Sequence, residues 1–351
     1  MNIVFVRSPF FVEVNEIGQQ GSKIELYIWN KGTTEPTVST YTLSKKIPST
    51  SQINTNYNIS NFVKEFINII NPFTVSTPSI EDDSVWVNFK IKRYKLAGST
   101  YTLLDTIQYV GVNGYTNYLN GFNYIGLGNI IALSNPNNTI YTYDTNIPYS
   151  NILIERDLTH DYIATYYDAS GAILNTTTIL TSGAIEIYNF RVPISYGDSV
   201  TCIVSFNSID VLNFSTQKID ECKYYPLVCS FINRYGGWQF LTFFKAQTTS
   251  ISVKGTNYSL LPDNINYNPN RGQNSSFNIN GMQSIKINTG FVPENYSELM
   301  TDLLLSEVIL LDGTPVNAKT QSLTYKTSLF DRNINYEMEF DYSFNLINDV
   351  L

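Results

Sequence analysis

A two-residue alternation of apolar and polar side chains restricts this chain more than any other sequence feature. Residues 23–29 read Lys-Ile-Glu-Leu-Tyr-Ile-Trp, and residues 84–94 place Val85, Val87 and Phe89 on one face. Such a period matches a β-strand, in which successive side chains point to opposite faces. The pattern returns in several later segments, with glycines supplying turns between them, so the chain is predicted to be built mainly from antiparallel strands.

The composition favours the same fold class. Charged residues make up 15% of the chain, whereas soluble domains usually carry about 25%. Tyr occurs 26 times and Phe 20 times, and aromatic side chains suit a pleated, half-buried surface. Asn, Ser, Thr and Tyr must therefore cover much of the surface. We predict a mostly all-β fold of tandem antiparallel β-sandwich domains with two short helices.

The two helices are predicted from apolar residues at helical spacing. The first covers residues 62–70, and either Ser60 or Asn61 is placed to cap its start. The second covers residues 294–306. Pro293 precedes it, and acidic residues in its first turn favour a helix N-terminus.

The length of 351 residues predicts several compact domains rather than one. Changes in strand spacing place their boundaries near residues 148 and 220. Residues 1–148 are predicted to form a β-sandwich with one short helix. Residues 149–220 are predicted to form a small fibronectin-like β-sandwich. Residues 221–351 are predicted to form a β-rich domain with one helix.

Charge and hydropathy bear on the partners of the chain. The net charge is −8, and no run of Lys and Arg stands out, so we expect no nucleic-acid partner. The apolar start of the chain is broken at Arg7, and we expect neither a signal peptide nor a membrane partner. The sequence thus predicts a soluble protein.

Residues typical of catalytic or metal sites are scarce. His160 is the one histidine, and without a partner it is expected to be an ordinary polar residue. Cys202, Cys222 and Cys229 lack the spacing of a zinc site or a disulfide framework. The acidic cluster at residues 81–83 lacks the spacing of a calcium loop. We predict no enzyme, no catalytic residues, no metal and no cofactor.

A tyrosine-rich loop is the one candidate for ligand binding. It carries Tyr115, Tyr118, Phe122 and Tyr124, whose rings could stack on a sugar. Tyr is also enriched where proteins contact one another, and a subunit interface is the preferred interpretation. A glycan partner remains open but has no further support in the sequence.

The C-terminal third contains a run of segments that resembles known proteins. It includes the predicted helix and strands of residues 285–313, which end in an Asp312-Gly313 turn. Further along are Tyr-Lys-Thr at residues 325–327 and Glu-Met-Glu-Phe-Asp-Tyr at residues 337–342. Over about residues 222–346 it resembles structural proteins of the tail, neck or baseplate of tailed bacteriophages of Bacteroidota, including crAss-like phages. The resemblance implies a virion component that is assembled in the host cytoplasm, and it brings no catalytic residues with it.

Three functions follow from these observations. The leading hypothesis is a structural component of a phage virion, held in a ring by copies of itself and by other virion proteins. Predicted long loops at residues 111–128 and 261–272 would be ordered by such neighbours, since ordering them alone costs about 1–2 kcal/mol per residue. The alternatives are a carbohydrate- or receptor-binding tail protein and an all-β glycan hydrolase.

Overall fold

The computed structural model describes residues 2–30, 33–47, 54–69, 85–121, 123, 125–127, 130–134, 138–143, 149–155, 160–179, 185–192, 194–221, 223–261, 265–266, 268–322 and 334–348. Within these ranges the chain is mostly β, with two short α-helices and several sheets. The predicted fold class, mostly all-β with tandem β-sandwich domains, is confirmed.

The first sandwich is built from β1 (Asn2–Phe5), β2 (Phe11–Val14), β3 (Gly21–Trp29), β4 (Tyr41–Lys46), β5 (Thr55–Asn58), β6 (Trp86–Ala97), β7 (Thr100–Val112) and β8 (Ile125–Leu127). A large sheet has the order β4-β3-β6-β7-β1-β8, and β2 pairs with β5 in a small one. Only the β1–β7 pair in this group is parallel among the described strands.

Alternation along these strands produces the core of the first sandwich. Val12 and Tyr57 from the small sheet pack with Leu26 and Phe89 from the large sheet in one buried cluster. Phe89 is fully buried, and its ring stacks on that of Tyr109 with a centroid distance of 5.2 Å. The two alternating segments that were identified in the sequence are therefore adjacent strands, β3 and β6, which face the same core.

Helix α1 spans Ser60–Lys64 and is shorter than the predicted helix of residues 62–70. The predicted cap is also wrong, because Ile59 stands at the N-cap position and no side chain caps the helix. The Ser60 hydroxyl instead donates to the backbone oxygen of Ser8 at 2.6 Å and accepts from the Phe10 N–H at 2.7 Å. The Ser60 hydroxyl, which the local pattern assigned to the helix cap, therefore forms tertiary hydrogen bonds instead.

The second sandwich is built from β9 (Ile130–Ala132), β10 (Asn138–Thr142), β11 (Tyr149–Glu155), β12 (Tyr162–Asp168), β13 (Ile173–Ile179), β14 (Ile185–Arg191), β15 (Ser199–Phe206) and β16 (Ile209–Lys218). One sheet has the order β10-β16-β15-β12-β13, and the facing one has the order β14-β11-β9. Ile152 and Phe190 from the smaller sheet and Val204 and Phe214 from the larger one lie in the same core.

The strands β9 and β10 change the predicted division at residue 148. Both precede that residue, yet β9 pairs with β11 and β10 pairs in parallel with β16. A cut at residue 148 would therefore run through both sheets of the second sandwich. Sequence spacing did not show this because the β10–β16 partners are distant along the chain.

By its contacts the chain divides into two compact units. The first contains Met1–Asp220 together with Ser230–Leu241 and Leu305–Glu307, and both sandwiches belong to it. The second contains Glu221–Cys229, Thr242–Leu304 and Val308–Leu351. How many parts of the chain fold independently stays a prediction.

The C-terminal strands are β17 (Leu227–Ile232), β18 (Trp238–Phe243), β19 (Thr248–Ser259), β20 (Asn274–Val292), β21 (Ile309–Leu311), β22 (Thr314–Ala318) and β23 (Ile334–Asn345). They form a sheet with the order β18-β17-β21-β22-β23-β20-β19. Helix α2 spans Tyr296–Leu304, within the predicted residues 294–306, and buries Leu299, Met300 and Leu303.

The predicted Asp312-Gly313 turn is confirmed in this region. Leu311 and Thr314 are paired across Asp312 and Gly313, which have φ angles of 44° and 80°. Positive φ at both central residues is the geometry of a two-residue hairpin, and Asp-Gly is a favoured sequence for it. The turn of residues 235–237 likewise lies between β17 and β18.

Candidate functional site

The most unusual surface of the second unit is a long hairpin at the end of its sheet. Strand β19 is the last strand in the sheet order, and all twelve of its residues are exposed. It pairs with β20 from Thr248↔Lys286 to Ser259↔Asn274. We call these two paired segments, residues 248–259 and 274–286, the edge hairpin. Its outer strand offers backbone N–H and C=O groups for pairing with another strand.

One face of the edge hairpin is apolar. Val253 is paired with Gly281, and the side chains of Ile251 and Leu346 lie around the space above that glycine. Ile279 lies on the same face, against Gly255. Ile251 and Val253 are 60% and 62% exposed, respectively. Burial of such side chains stabilises a contact by about 25 cal/mol per Å² of apolar area, so this face is suited to a partner.

A β-bulge brings aromatic residues to the opposite face near the tip. Lys254 pairs with Asn280 and Thr256 pairs with Phe277, so β20 has one extra residue between these pairs. Phe277 and Tyr258 therefore lie on the Thr256 face, with ring centroids 5.6 Å apart. Both faces of the edge hairpin thus present apolar groups.

The edge hairpin lacks the devices that commonly protect an exposed edge. Natural edge strands are often short, or carry charged residues and prolines that prevent pairing. In the sequence from 248 to 286, the charged residues are Lys254, Asp263, Arg271 and Lys286. Of these, Lys254 lies on the outer strand and Lys286 lies at the far end of the inner strand. Neither of its strands contains proline. Little electrostatic repulsion would therefore oppose a strand that approaches β19.

The edge hairpin was missed in the sequence, where neither of its strands was predicted. The predicted loop of residues 261–272 is only its connection, and residues 262–264 and 267 lie outside the described part. A signal was present, because residues 248–259 are rich in Thr and Ser, and Ile251 and Val253 alternate with polar residues. The exposure of all twelve residues could not be predicted from it.

The residues that were singled out for chemistry are not brought together. His160 is exposed and lies against the ring of Phe206, with a centroid distance of 5.6 Å. The acidic cluster of residues 81–83 lies outside the described ranges. Among the residues that the structure describes, no group of three or more His, Cys, Asp or Glu side chains could hold a metal ion.

The described cysteines are buried and free. Cys202 lies in the core of the second sandwich, and burial raises the pKa of its thiol to about 12. Burial also raises the pKa of the Cys229 thiol. Since the thiolate is the reactive form, both side chains are suited to packing rather than to nucleophilic chemistry. Cys222 lies outside the described part of the chain.

The tyrosine-rich loop is more regular than predicted. Strand β7 continues to Val112, a 3₁₀ turn covers Tyr118–Asn120, and β8 follows. Tyr115 and Tyr118 both line a cleft in the first unit. Phe122 and Tyr124 lie outside the described residues.

Comparisons with known proteins add no family to these observations. No family model matches the sequence, and the search of curated proteins found no match. In the described part of the chain, neither helix has the length and apolar character that crossing a membrane requires.

Proposed function

We propose that this chain is a structural component of a phage virion, in the tail, neck or baseplate, and that it acts through contacts between subunits. The observation that carries the proposal is the edge hairpin, whose outer strand is exposed along all twelve residues and nearly uncharged. A strand from another subunit can pair with this edge through backbone hydrogen bonds, while its side chains cover Ile251 and Val253.

The partner proposed for β19 is another copy of the chain. A second exposed edge of similar chemistry occurs in the first unit, where β13 ends the larger sheet of the second sandwich. Its residues, Ile-Leu-Asn-Thr-Thr-Thr-Ile, are uncharged, and all but Ile179 are exposed. Two different edges on one chain allow a head-to-tail contact, in which β19 of one copy pairs with β13 of the next. Repeated contacts of this kind form a ring if the rotation closes.

The composition supports an assembly subunit as well. Interfaces are enriched in Tyr and Phe and depleted in charge at their centres, and this chain shows the same bias over its whole length. The resemblance of residues 222–346 to phage tail, neck and baseplate proteins supports the proposed location in a phage virion. The non-enzymatic role, the location in the virion and the partner subunits are all parts of this proposal.

Mass spectrometry of purified virions tests the proposed location in the virion. The chain is expected in intact particles, at the copy number of a ring component. Its absence from particles, with presence only in lysates of infected cells, would overturn the proposal.

Substitution of Val253 tests the edge hairpin. Val253→Lys is expected to reduce incorporation of the chain into particles by about ten-fold or more, since a lysine must be desolvated when a partner covers it. Ile209→Lys is the matched control, because Ile209 is 67% exposed on β16 and outside both proposed edges. Equal incorporation of both variants would contradict the role of β19. Circular dichroism checks that each variant is folded.

A further inference from the structure

A cleft in the first unit is independent of the edge hairpin. Its volume is about 960 Å³, which is within the range of small-molecule sites. The aromatic and polar groups on its wall include Arg7, Phe11, Tyr115, Asn117, Tyr118 and Glu307. These residues come from the β1–β2 connection, the first residue of β2, the tyrosine-rich loop and the segment Leu305–Glu307.

Asn123 holds the tyrosine-rich loop against the β1–β2 connection. It is 8% exposed, and its amide nitrogen donates to the backbone oxygens of Phe5 at 2.9 Å, Ser8 at 3.2 Å and Pro9 at 3.3 Å. Its amide oxygen accepts from the Phe5 N–H at 3.3 Å. One side chain therefore fixes both sides of the cleft.

A second set of bonds fixes the start of the loop. The Ser8 hydroxyl accepts from the Thr116 N–H at 2.8 Å, and the Arg7 N–H donates to the Gly114 oxygen at 3.0 Å. The wall is thus held in place by hydrogen bonds within the chain. A pre-organised site binds more tightly because less conformational entropy is lost on binding.

Aromatic rings remain open on this fixed wall. Tyr118 is 97% exposed and Phe11 is 60% exposed. Tyr118 lies in a turn that ends at Gly121, whose φ of 72° is readily adopted by glycine. The electron-rich face of an aromatic ring attracts groups of partial positive charge, such as the C–H groups on one side of a sugar ring.

The charged groups of the cleft are already paired. The Arg7 guanidinium donates to the Leu305 oxygen at 2.7 Å, and its Nε lies 3.5 Å from Glu307 Oε1. Lys64 Nζ donates to the same carboxylate oxygen at 2.7 Å. Arg7 and Glu307 are the charged residues that line the cleft, and their opposite charges balance, so the lining has little net charge with which to select an ionic ligand. The pair can still exchange hydrogen bonds with hydroxyl groups.

We infer that this cleft binds a neutral carbohydrate. A sugar ring stacks on Tyr118 or Phe11, and its hydroxyl groups bond to the Asn117 amide and to the Arg7–Glu307 pair. The fixed wall, the open aromatic faces and the balanced charge together favour this ligand class over an anion or a lipid. The site gives the chain a binding activity beyond its proposed role in assembly.

Binding to a glycan array of neutral glucose, galactose, mannose and N-acetylglucosamine oligomers tests this inference, with uronic-acid oligomers as the charged comparison. Full-length protein should bind at least one neutral oligomer. Tyr118→Ala is expected to weaken that binding about ten-fold, as expected for the loss of an aromatic contact. Tyr225→Ala is the control, because Tyr225 is 62% exposed and does not line the cleft.

Three results would overturn the inference. They are the absence of binding to any neutral oligomer, selective binding of the acidic oligomers, and binding that Tyr118→Ala leaves unchanged. If Tyr118→Ala instead reduced particle incorporation without any glycan effect, the cleft would be a contact between subunits. The three overturning results concern glycan binding alone and do not depend on whether the chain is found in virions, so the virion proposal is tested separately.

Discussion

Tyr94 on β6 donates a hydrogen bond from its hydroxyl to Oε2 of Glu25 on β3, at 2.7 Å. The same oxygen accepts from the Tyr27 hydroxyl at 3.1 Å, and Lys23 Nζ donates to Oε1 at 2.6 Å. Burial alone would raise the pKa of Glu25, but these hydrogen bonds outweigh it and lower the pKa. Burial and the bond to Glu25 raise the pKa of Tyr94 to about 12. The network therefore connects two central strands through one ionised carboxylate.

Glu25→Gln should lower the free energy of unfolding by about 1 kcal/mol at pH 7, a value reduced for partial solvent screening. Because the folded-state pKa of Glu25 is depressed, its contribution is present above the usual glutamate pKa and is lost as the pH falls through the folded-state value. The difference between the two proteins should therefore shrink in acid. Urea denaturation from pH 7 to pH 3 measures this.

Glu13→Gln is the control for this change. Glu13 is exposed, and its carboxylate accepts from the neutral Asn54 amide at 2.7 Å. Glu13→Gln should change the free energy of unfolding little between pH 7 and pH 3. A constant deficit of Glu25→Gln down to pH 3 would contradict the ionic origin of the stabilisation.

Phe277→Ala should loosen the tip of the edge hairpin. The contact of Phe277 with Tyr258 contributes about 1 kcal/mol beyond area burial, which corresponds to about five-fold faster local opening. Hydrogen exchange of the amides in Thr248–Ser259 measures the effect. Phe291→Ala, at a 71% exposed position on the same strand, should leave those amides unchanged. Equal exchange in both variants would mean that the ring pair does not order the tip.

Phe89→Ala should lower the free energy of unfolding by about 3–5 kcal/mol, because it leaves a cavity in the core of the first sandwich. Phe11→Ala removes the same side chain from a 60% exposed position and should change stability by about 0.5 kcal/mol or less. Guanidinium denaturation monitored by fluorescence measures the free energy of unfolding of both variants. Similar losses of unfolding free energy in the two variants would show that the burial of Phe89 does not determine its contribution to stability.

Local patterns predicted several elements well. Period-two alternation placed residues 23–29 and 84–94 in strands, and the Asp312-Gly313 pair marked a hairpin turn. These features depend on nearest neighbours in the chain, because strand periodicity and positive φ are local properties. Helix α1 is a local prediction that was altered, since Ser60 bonds to Ser8 and Phe10 rather than capping the helix.

The sequence by itself determined the mostly β class, the two short helices and the absence of recognisable catalytic motifs, since periodicity and composition carry that information. Tertiary structure alone decided which strands pair, as in the parallel β10–β16 pair that joins residues on both sides of position 148. It also decided which alternating strand stays uncovered. Ile24 and Ile251 both follow a strand pattern, yet Ile24 is buried in a sandwich and Ile251 is 60% exposed on the edge hairpin. The physical reason is that burial depends on a second layer, and that layer comes from residues distant in the chain.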